Sequence, residues 1–376
     1  MIFININYLD DDFKMQKGDI EIDGGIIKRV GEKIPYLDSD LVIDCEGYTM
    51  IPGLIDIHTH GGAGVDLSDP EVTKEEVKVM AKYLLSHGVT SFCPTTMTVS
   101  EENIRATLQA VKEYMDENSD EGASALGINM EGPFISKSKK GAQNESFVKV
   151  PDIELFEKLY NDYGGIIKLV DIAPEEVKDG DDFIERASKL CTVSIAHTAA
   201  NYEIAKESFD KGITHATHLY NAMSGYTHRA PGVVGAVFDD ERVRGELICD
   251  GHHIDPAVVR TTFKIMGDRI CVISDALLFA GIPEGESRVF GGQETSVKGG
   301  VAVLNDGTIA GSVANLHDEL KNLVSWGIPF ETAVKAMTIN PAKAVNMDKV
   351  VGSIKRGKKA DLVVLDEKLE VVAVYH

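Results

Sequence analysis

Eight short apolar runs alternate with helical patterns through the middle of this chain, and each run has the length and composition of a buried strand. The runs recur about every 31 residues. Strands that alternate with helices are typical of βαβ units, and eight such units of this total length fit a closed (β/α)₈ barrel. We therefore predict an α/β fold whose main part, residues 51–351, is a TIM-like barrel. The predicted strands are 54–57, 90–93, 125–130, 166–170, 193–196, 216–219, 246–249 and 270–274.

The two ends of the chain carry a different pattern, in which short strand-like runs are separated by turn residues. Residues 20–22 and 26–30 flank an Asp-Gly-Gly turn, and residues 361–366 and 371–374 behave alike. An isolated hairpin is marginal in water, so neither end is long enough to form a stable sheet alone. We predict that residues 1–50 and 352–376 pair into one small β-sandwich domain.

Capping residues indicate where several helices begin and end. Asn201 is predicted to cap a helix that stops at Gly212, and Ser312 to cap a helix through Val324. One continuous helix is predicted over residues 331–344.

The charge balance and the cysteines restrict the partners and the compartment. The 376 residues include 60 acidic and 38 basic side chains, a formal net charge of -22. Binding to phosphate backbones or anionic lipids rests on Lys and Arg, so we expect neither nucleic acid nor a membrane as partner. The five scattered cysteines form no CxxC pair and predict reduced thiols, and no apolar run reaches about 18 residues. These features predict a cytoplasmic protein.

The strongest local signal is the His-x-His pair of His58 and His60 at the end of the first predicted barrel strand. Alternate side chains of a strand share one face, so the two imidazoles point together into the barrel mouth. Imidazoles suit divalent transition metals. An isolated His-x-His is more often a pair of polar loop residues, but active sites of barrels lie at this end of the strands. A metal site is therefore the hypothesis.

Four further ionisable residues follow predicted strands in the same way. Glu131, His197, His218 and Asp275 each come at the end of an apolar run. Convergence of these groups on one rim predicts a metal site with an acid/base residue. The alternative is a set of buried polar residues satisfied by hydrogen bonds.

Other candidates do not fit this placement. His87, His317 and His376 lie at a helix end, inside a helix and at the chain end, and His215 should lie deep or face the helices. Lys168 lies near the start of its strand, at the wrong end of the barrel for a bridging ligand. We assign these residues no function.

Arg229 follows the sixth strand in an otherwise acidic chain. Its forked donors match phosphate or carboxylate, and an internal ion pair is an equally good interpretation.

The motifs PGLIDIHTHG, MEGPFIS, LYNAM, HRAPG, DGHHIDP and SDALLFAG occur in this order along nearly the whole chain. Together they resemble the N-acetylglucosamine-6-phosphate deacetylase family of the amidohydrolase superfamily. The resemblance implies a metal-dependent hydrolase that converts N-acetylglucosamine 6-phosphate to glucosamine 6-phosphate and acetate. In such an enzyme a metal-activated hydroxide attacks the amide carbonyl, and Asp275 acts first as general base and then as general acid.

The resemblance also assigns ligands and partners. It implies that Glu131, His197 and His218 hold a main metal ion, and that His58 with His60 holds a second. The ion is expected to be zinc, with iron, manganese or cobalt as alternatives. The resemblance also implies a homodimer, because in relatives the phosphate site is completed by residues from both subunits. The positions implied to contact the sugar phosphate are Ala142, Gln143, Asn221, Ala222, Arg229, His253, Ile309, Ala310 and Gly311.

Two departures and three rival functions remain at this stage. Gln143 stands where many relatives carry His, and His252 replaces a residue that is commonly apolar. The nearest rivals are N-acetylgalactosamine-6-phosphate deacetylation and cyclic-amide hydrolysis. A metal-free binding module is the more distant rival.

Overall fold

The computed structural model describes residues 1–117 and 121–376 of the chain. The N-terminal segment consists of short strands joined by turns, as the pattern of residues 20–30 predicts. These strands are β1 (Ile2–Leu9), β2 (Met15–Asp23), β3 (Ile26–Gly31), β4 (Val42–Asp44) and β5 (Thr49–Pro52).

The central strands are buried along most of their length. Parallel strands covered by helices on both faces are apolar throughout, and β6 and β9 contain only buried residues. The strands of this part are β6 (Leu54–Thr59), β7 (Gly61–Gly62), β8 (Val65–Asp66), β9 (Val89–Pro94), β10 (Ser124–Ala125), β11 (Ile128–Met130), β12 (Ile167–Ile172), β13 (Thr192–Ile195), β14 (Ile213–Ala216), β15 (Arg244–Ile248) and β16 (Ile270–Ile273).

Helices fill most of the intervals between the central strands, and others follow the last of them. They are α1 (Lys74–Ser86), α2 (Glu101–Glu117), α3 (Ile153–Asp162), α4 (Phe183–Ala187), α5 (Tyr202–Lys211), α6 (Gly232–Asp239), α7 (Pro256–Met266), α8 (Leu316–Ser325), α9 (Phe330–Ala336) and α10 (Ile339–Ala344). The predicted cap of α5 is confirmed, since the Asn201 side chain accepts a hydrogen bond from the Ile204 backbone.

Apart from β7 and β8, which form an antiparallel hairpin, the central strands pair into a curled parallel sheet. One part has the order β10-β9-β6 and the other runs in sequence from β11 to β16. Parallel bridges join the two parts at both margins, from Thr95 to Asn129 and from Thr59 to Ala276. All carboxyl ends of these strands therefore lie on the same side of the sheet.

The sixth strand of the predicted barrel lies three residues earlier than the sequence pattern indicated. β14 covers residues 213–216, whereas the sequence pattern placed it at 216–219. His218 adopts a φ of 27°, which is incompatible with an extended strand, so the strand ends before it.

A four-stranded antiparallel sheet between β16 and α8 was missed by the sequence analysis. Its turns carry the Gly-Gly and Asp-Gly pairs typical of tight hairpins. Ser312 belongs to this sheet, and its hydroxyl donates to the Ser274 carbonyl, so the prediction that it caps a helix is wrong. Asn315 caps α8 instead. The strands are β17 (Ser287–Phe290), β18 (Gln293–Lys298), β19 (Val301–Leu304) and β20 (Ile309–Ser312).

The single helix predicted over 331–344 is interrupted after Ala336, which separates α9 from α10. Pro341 has no N–H to donate to the Met337 carbonyl and its ring would clash there, so a continuous helix is disfavoured.

The two ends of the chain share one sheet, which ends with β21 (Leu362–Leu365) and β22 (Val371–Tyr375). Within the described residues the order is β22-β21-β5-β1-β2-β3, with β4 also paired to β1. β21 lies antiparallel to β5, and β5 leads within two residues into β6. The shared sheet is therefore joined directly to the first parallel strand.

The structure bears on two expectations drawn from composition, which concern the cysteines and membrane-spanning helices. All five cysteines are free thiols, and only Cys191 is not fully buried. Across residues 1–117 and 121–376, no helix combines the length and apolar character needed to cross a bilayer.

Replacing Val363 by Ala tests how firmly the C-terminal strand is anchored. Val363 in β21 has no exposed area and packs against the main core, whereas Val372 in β22 is 51% exposed. We expect Val363→Ala to lower the free energy of unfolding by about 2 kcal/mol, because buried methyl groups are lost. Val372→Ala should cost less than about 0.5 kcal/mol. Urea unfolding measures both, and equal small effects would contradict this packing.

Candidate metal centre

The ionisable residues singled out in the sequence meet at the carboxyl ends of the parallel strands. Glu131 directly follows β11, while His197, His218 and Asp275 each lie two residues beyond β13, β14 and β16. His58 lies near the end of β6. All of these side chains are almost fully buried, as is the neighbouring His60.

Glu131 is the common neighbour of the imidazoles. Its Oε1 lies 3.2 Å from His197 Nε2 and 3.0 Å from His218 Nε2. These two imidazole nitrogens are 3.1 Å apart. The three side chains therefore form a compact group of potential metal ligands.

His58 and His60 form a second group with the same carboxylate. His58 Nε2 lies 3.5 Å from Glu131 Oε1, and His60 Nε2 lies 3.4 Å from Oε2. Asp275 Oδ1 is 3.2 Å from His60 Nε2. Glu131 thus belongs to both groups and can bridge two ions.

Hydrogen bonds on the far side of two rings fix which nitrogen faces the cluster. His197 Nδ1 lies 2.8 Å from the Lys139 carbonyl, and His58 Nδ1 lies 2.9 Å from Glu246 Oε2. Both acceptors require an N–H, so in the neutral rings each Nε2 presents a lone pair to Glu131. Lone pairs and carboxylate oxygens at these distances repel one another unless a proton or a metal ion lies between them, and Glu131 accordingly raises the pKa of His197 against the opposing effect of burial. The residues therefore fit a divalent metal ion.

Glu246 is a positioning residue that the sequence analysis did not identify. Its carboxylate accepts from His58 Nδ1, from the His218 backbone N–H at 3.1 Å and from His215 Nε2 at 3.0 Å. His215 is fully buried, which confirms the expectation that it lies deep. A carboxylate inside a predicted apolar strand was the available signal, because such a charge needs buried partners.

The two carboxylates of the cluster remain ionised. Burial alone would raise the pKa of Glu131, but His197, His218 and His58 hold it well below its usual range. Burial would also raise the pKa of Asp275, but His60, His58 and His218 outweigh it and lower the pKa. Ionised carboxylates are the forms that bind a cation or accept a proton.

The backbone at the strand ends is strained. His197, His218 and Asp275 have φ values of 42°, 27° and 48°, and Ala222 has 50°. Non-glycine residues rarely occupy this region, and such conformations cluster at active sites. The abrupt change of direction after each strand turns these side chains into the mouth of the sheet.

A cavity of about 230 Å³ opens onto the cluster. It is bounded by the rim loops and by the end of the antiparallel sheet that the sequence analysis missed. Arg229 is exposed and lies outside this cavity, and the structure shows it in no ion pair with the described residues. The cavity is lined by the predicted substrate positions Ala142, Gln143, Asn221, Ala222, His253, Ile309, Ala310 and Gly311.

Gln143 is held in one orientation by two contacts. Its carbonyl oxygen accepts from the Thr98 backbone N–H at 2.7 Å, and its amide donates to Glu131 Oε2. The side chain therefore orients the shared carboxylate and still borders the cavity.

His253 is oriented by Asp250, another residue whose role was not predicted. Its Nδ1 lies 2.7 Å from Asp250 Oδ2. Burial lowers the pKa of His253, but the hydrogen bond and charge of Asp250 raise it to above the ordinary value. A protonated imidazole with Nε2 at the cavity suits an anion. The adjacent His252 is exposed and lies beside Gly300.

The histidines that were assigned no function have other surroundings. His87 is the C-cap residue of α1, and His317 Nε2 donates to the Leu369 carbonyl at 2.6 Å. His376 lies 3.3 Å from Asp361 Oδ1. Lys168 lines a different cavity near the strand starts.

Comparison with known proteins identifies the family. Residues 49–375 match the amidohydrolase family. The chain is 36% identical over 327 residues to the N-acetylglucosamine-6-phosphate deacetylase of Bacillus subtilis (strain 168), covering 86% of this chain and 82% of that protein. It is 32% identical over 359 residues to the N-acetylgalactosamine-6-phosphate deacetylase of Escherichia coli O157:H7, covering 95% and 92%.

The fold agrees with these sequence relationships. The crystal structure of N-acetylglucosamine-6-phosphate deacetylase from Pasteurella multocida superposes with a TM-score of 0.92 at 29% identity, covering 100% of this chain and 97% of that one. The chain therefore belongs to the amidohydrolase family of hydrolases and, within it, to the N-acetylglucosamine-6-phosphate deacetylase family.

Proposed function

We propose that this protein hydrolyses the acetamide of N-acetylglucosamine 6-phosphate to glucosamine 6-phosphate and acetate. The observation that carries the proposal is the buried convergence of His197 and His218 on Glu131, with Asp275 beside them at the floor of one cavity. Family membership supplies the substrate class.

The fold proposal completes this picture. We infer that β6 together with β9 to β16 forms a closed (β/α)₈ barrel, because parallel bridges connect both margins of the curled sheet. Residues 51–351 would form this barrel, and residues 1–50 with 352–376 would fold into a β-sandwich beside it. The free thiols favour a reducing compartment, and we propose a cytoplasmic location.

The residues that would hold metal fall into two overlapping sets. Glu131, His197 and His218 would bind the main ion, and His58, His60 and the bridging Glu131 a second one. Zinc is the proposed ion, with iron, manganese and cobalt as alternatives suited to the same ligands. When bound, such an ion acidifies water and polarises a carbonyl oxygen.

Asp275 is the proposed proton carrier of the reaction. Its carboxylate is ionised and borders both the cluster and the cavity, so it can accept a proton from the attacking water. The same oxygen then returns the proton to the departing amine. Gln143 contributes by fixing Glu131, and Asn221 with Ala222 borders the space left for the sugar.

The phosphate would be held by His253 and Arg229. His253 borders the cavity and its pKa is raised by Asp250, which favours the cationic form, while Arg229 is exposed on the same chain and does not border that cavity. We therefore propose a homodimer in which Arg229 of one protomer reaches the cavity of its partner.

Hydrolysis of three amides tests the substrate, measured as acetate release from the two sugar phosphates and as ring opening of a dihydropyrimidine. We expect turnover of N-acetylglucosamine 6-phosphate, and slower turnover of its galactosamine epimer. The epimer is the favoured alternative, since one relative carries that name. Activity on a dihydropyrimidine ring alone, or on none of these amides with metal bound, would contradict the proposal.

Replacing Glu246 by Gln tests how the cluster is held. The change removes the charge that orients His58 while keeping the shape. We expect affinity for the second metal ion to fall about 10- to 100-fold, because orienting partners of metal ligands have effects of this size. Metal titration measures it. Glu319→Gln is the matched control, since Glu319 is also fully buried and burial raises the pKa of its carboxyl well above its ordinary value.

Mixing two impaired variants, assayed at a substrate concentration near the KM of the parent, tests both Asp275 and the homodimer. Asp275→Asn should lower kcat about 10²- to 10⁴-fold with metals retained, because the proton carrier is lost. Arg229→Ala should raise KM about 10- to 100-fold, because a charge-assisted contact is lost. In an equimolar mixture about half of the dimers are hybrids. If Arg229 acts across the interface, one of the two sites in each hybrid is intact, which restores about a quarter of all sites. Mixed samples whose activity is only the average of the two separate variants would contradict this arrangement.

The pH dependence of KM tests the pair of Asp250 and His253. The raised pKa keeps His253 protonated to higher pH than a free imidazole. In Asp250→Asn the imidazole loses its proton at lower pH, so KM should rise severalfold at about pH 7.5 and match the parent at about pH 5.5. Asp255→Asn, close by in sequence, is the control. Identical KM profiles for parent and Asp250→Asn would refute the role of His253.

A further inference from the structure

We propose that the end of the parallel sheet opposite the metal centre holds a binding site for inorganic phosphate. A polar cavity of about 180 Å³ lies where β13, β14 and β15 begin, whereas the metal ligands lie at the other ends of these strands. A water molecule takes about 30 Å³ in the liquid, so the cavity has room for a small solute. It is lined among others by Ser188, Thr192, Thr214, His215, Arg244 and Lys343.

The charge of this cavity is positive, in a chain whose net charge is -22. Arg244 and Lys343 border it, and no carboxylate of the described chain does. Arginine binds phosphate through its forked guanidinium group, and lysine binds it through its compact ammonium group. A cavity with two cations and no acid has the electrostatics of an anion site.

Arg244 has no partner of its own. Its Nε is buried without a hydrogen bond, and the guanidinium forms no ion pair within residues 1–117 and 121–376. Arg242, two residues earlier, pairs with both Asp240 and Asp210. Arg244 is half-buried, and burying a donor such as its Nε without a partner is unfavourable. An anionic ligand in the cavity would supply the partner that Arg244 lacks, which explains why an arginine lies at this position.

His215 favours phosphate over other anions. The ring is fully buried and lines the cavity, and its Nδ1 has no partner among the described residues. Its Nε2–H donates to Glu246 Oε1 at 3.0 Å, so Nδ1 of the neutral ring is an acceptor. Hydrogen phosphate offers a P–OH to such an acceptor together with anionic oxygens for Arg244. Sulfate at neutral pH has no hydroxyl to donate.

Titration of the metal-loaded protein with inorganic phosphate tests the site. We expect two classes of binding per chain, one at the substrate cavity and one here. Arg244→Met should abolish the second class, and Lys343→Gln at the exposed rim should weaken it about 10-fold. Lys349→Gln, an exposed lysine outside the cavity, is the matched control. Sulfate should bind the second class at least about 10-fold more weakly than phosphate.

Thermal melting separates a ligand site from a structural role. In phosphate-free buffer Arg244→Met should melt at or above the temperature of the parent, because a half-buried cation without a protein partner is removed. Phosphate should raise the melting temperature of the parent more than that of the variant. Unchanged phosphate binding in both Arg244→Met and Lys343→Gln would overturn the proposal, and so would equal affinities for sulfate and phosphate.

Discussion

The structure of this site depends on close contacts between imidazoles and a carboxylate, which a proton or a metal ion must bridge. Lone pairs of imidazole nitrogens face a carboxylate that is itself ionised, with His197, His218 and Glu131 all within 3.2 Å of one another. Burial makes such an arrangement costly in the absence of a counterion. The surrounding contacts oppose its relaxation, because the Lys139 carbonyl and Glu246 hold two of the rings in the required tautomer.

Parallel strands explain how residues distant in sequence reach this arrangement. The strands share one direction, so each loop that follows a strand contributes to the same rim. The loops turn sharply after each strand, and the turns place His197, His218 and Asp275 at strained, positive φ values. Strain of this kind is tolerated where the buried sheet fixes the residues on either side.

The sequence predicted the repeating strands and helices, because buried apolar runs and cap residues are local signals. It also predicted that the ends of the chain are strand-forming. The antiparallel sheet over residues 287–312 was missed, although its Gly-Gly turns are hairpin signals, because its strands are short and β18 is largely polar. The position of β14 was wrong because its end is set by the backbone of His218, which no local pattern reveals.

At the site, the ligand residues could be predicted from strand ends, but their supporting partners could not. Glu246 and Asp250 act through contacts that only the folded chain brings together. The position of Arg229 outside its own cavity depends on loop geometry, which spacing does not encode. Sequence patterns thus identify groups that share a rim, whereas orientation and exposure are properties of the packed structure.

The central claim is that a metal ion lies among Glu131, His197 and His218. Anomalous diffraction from crystals of the purified protein, recorded at the absorption edge of the metal found by elemental analysis, tests this claim most directly. The account predicts a peak within bonding distance, about 2.0–2.2 Å, of all three side chains. Catalytically active crystals without anomalous density among these residues would contradict it.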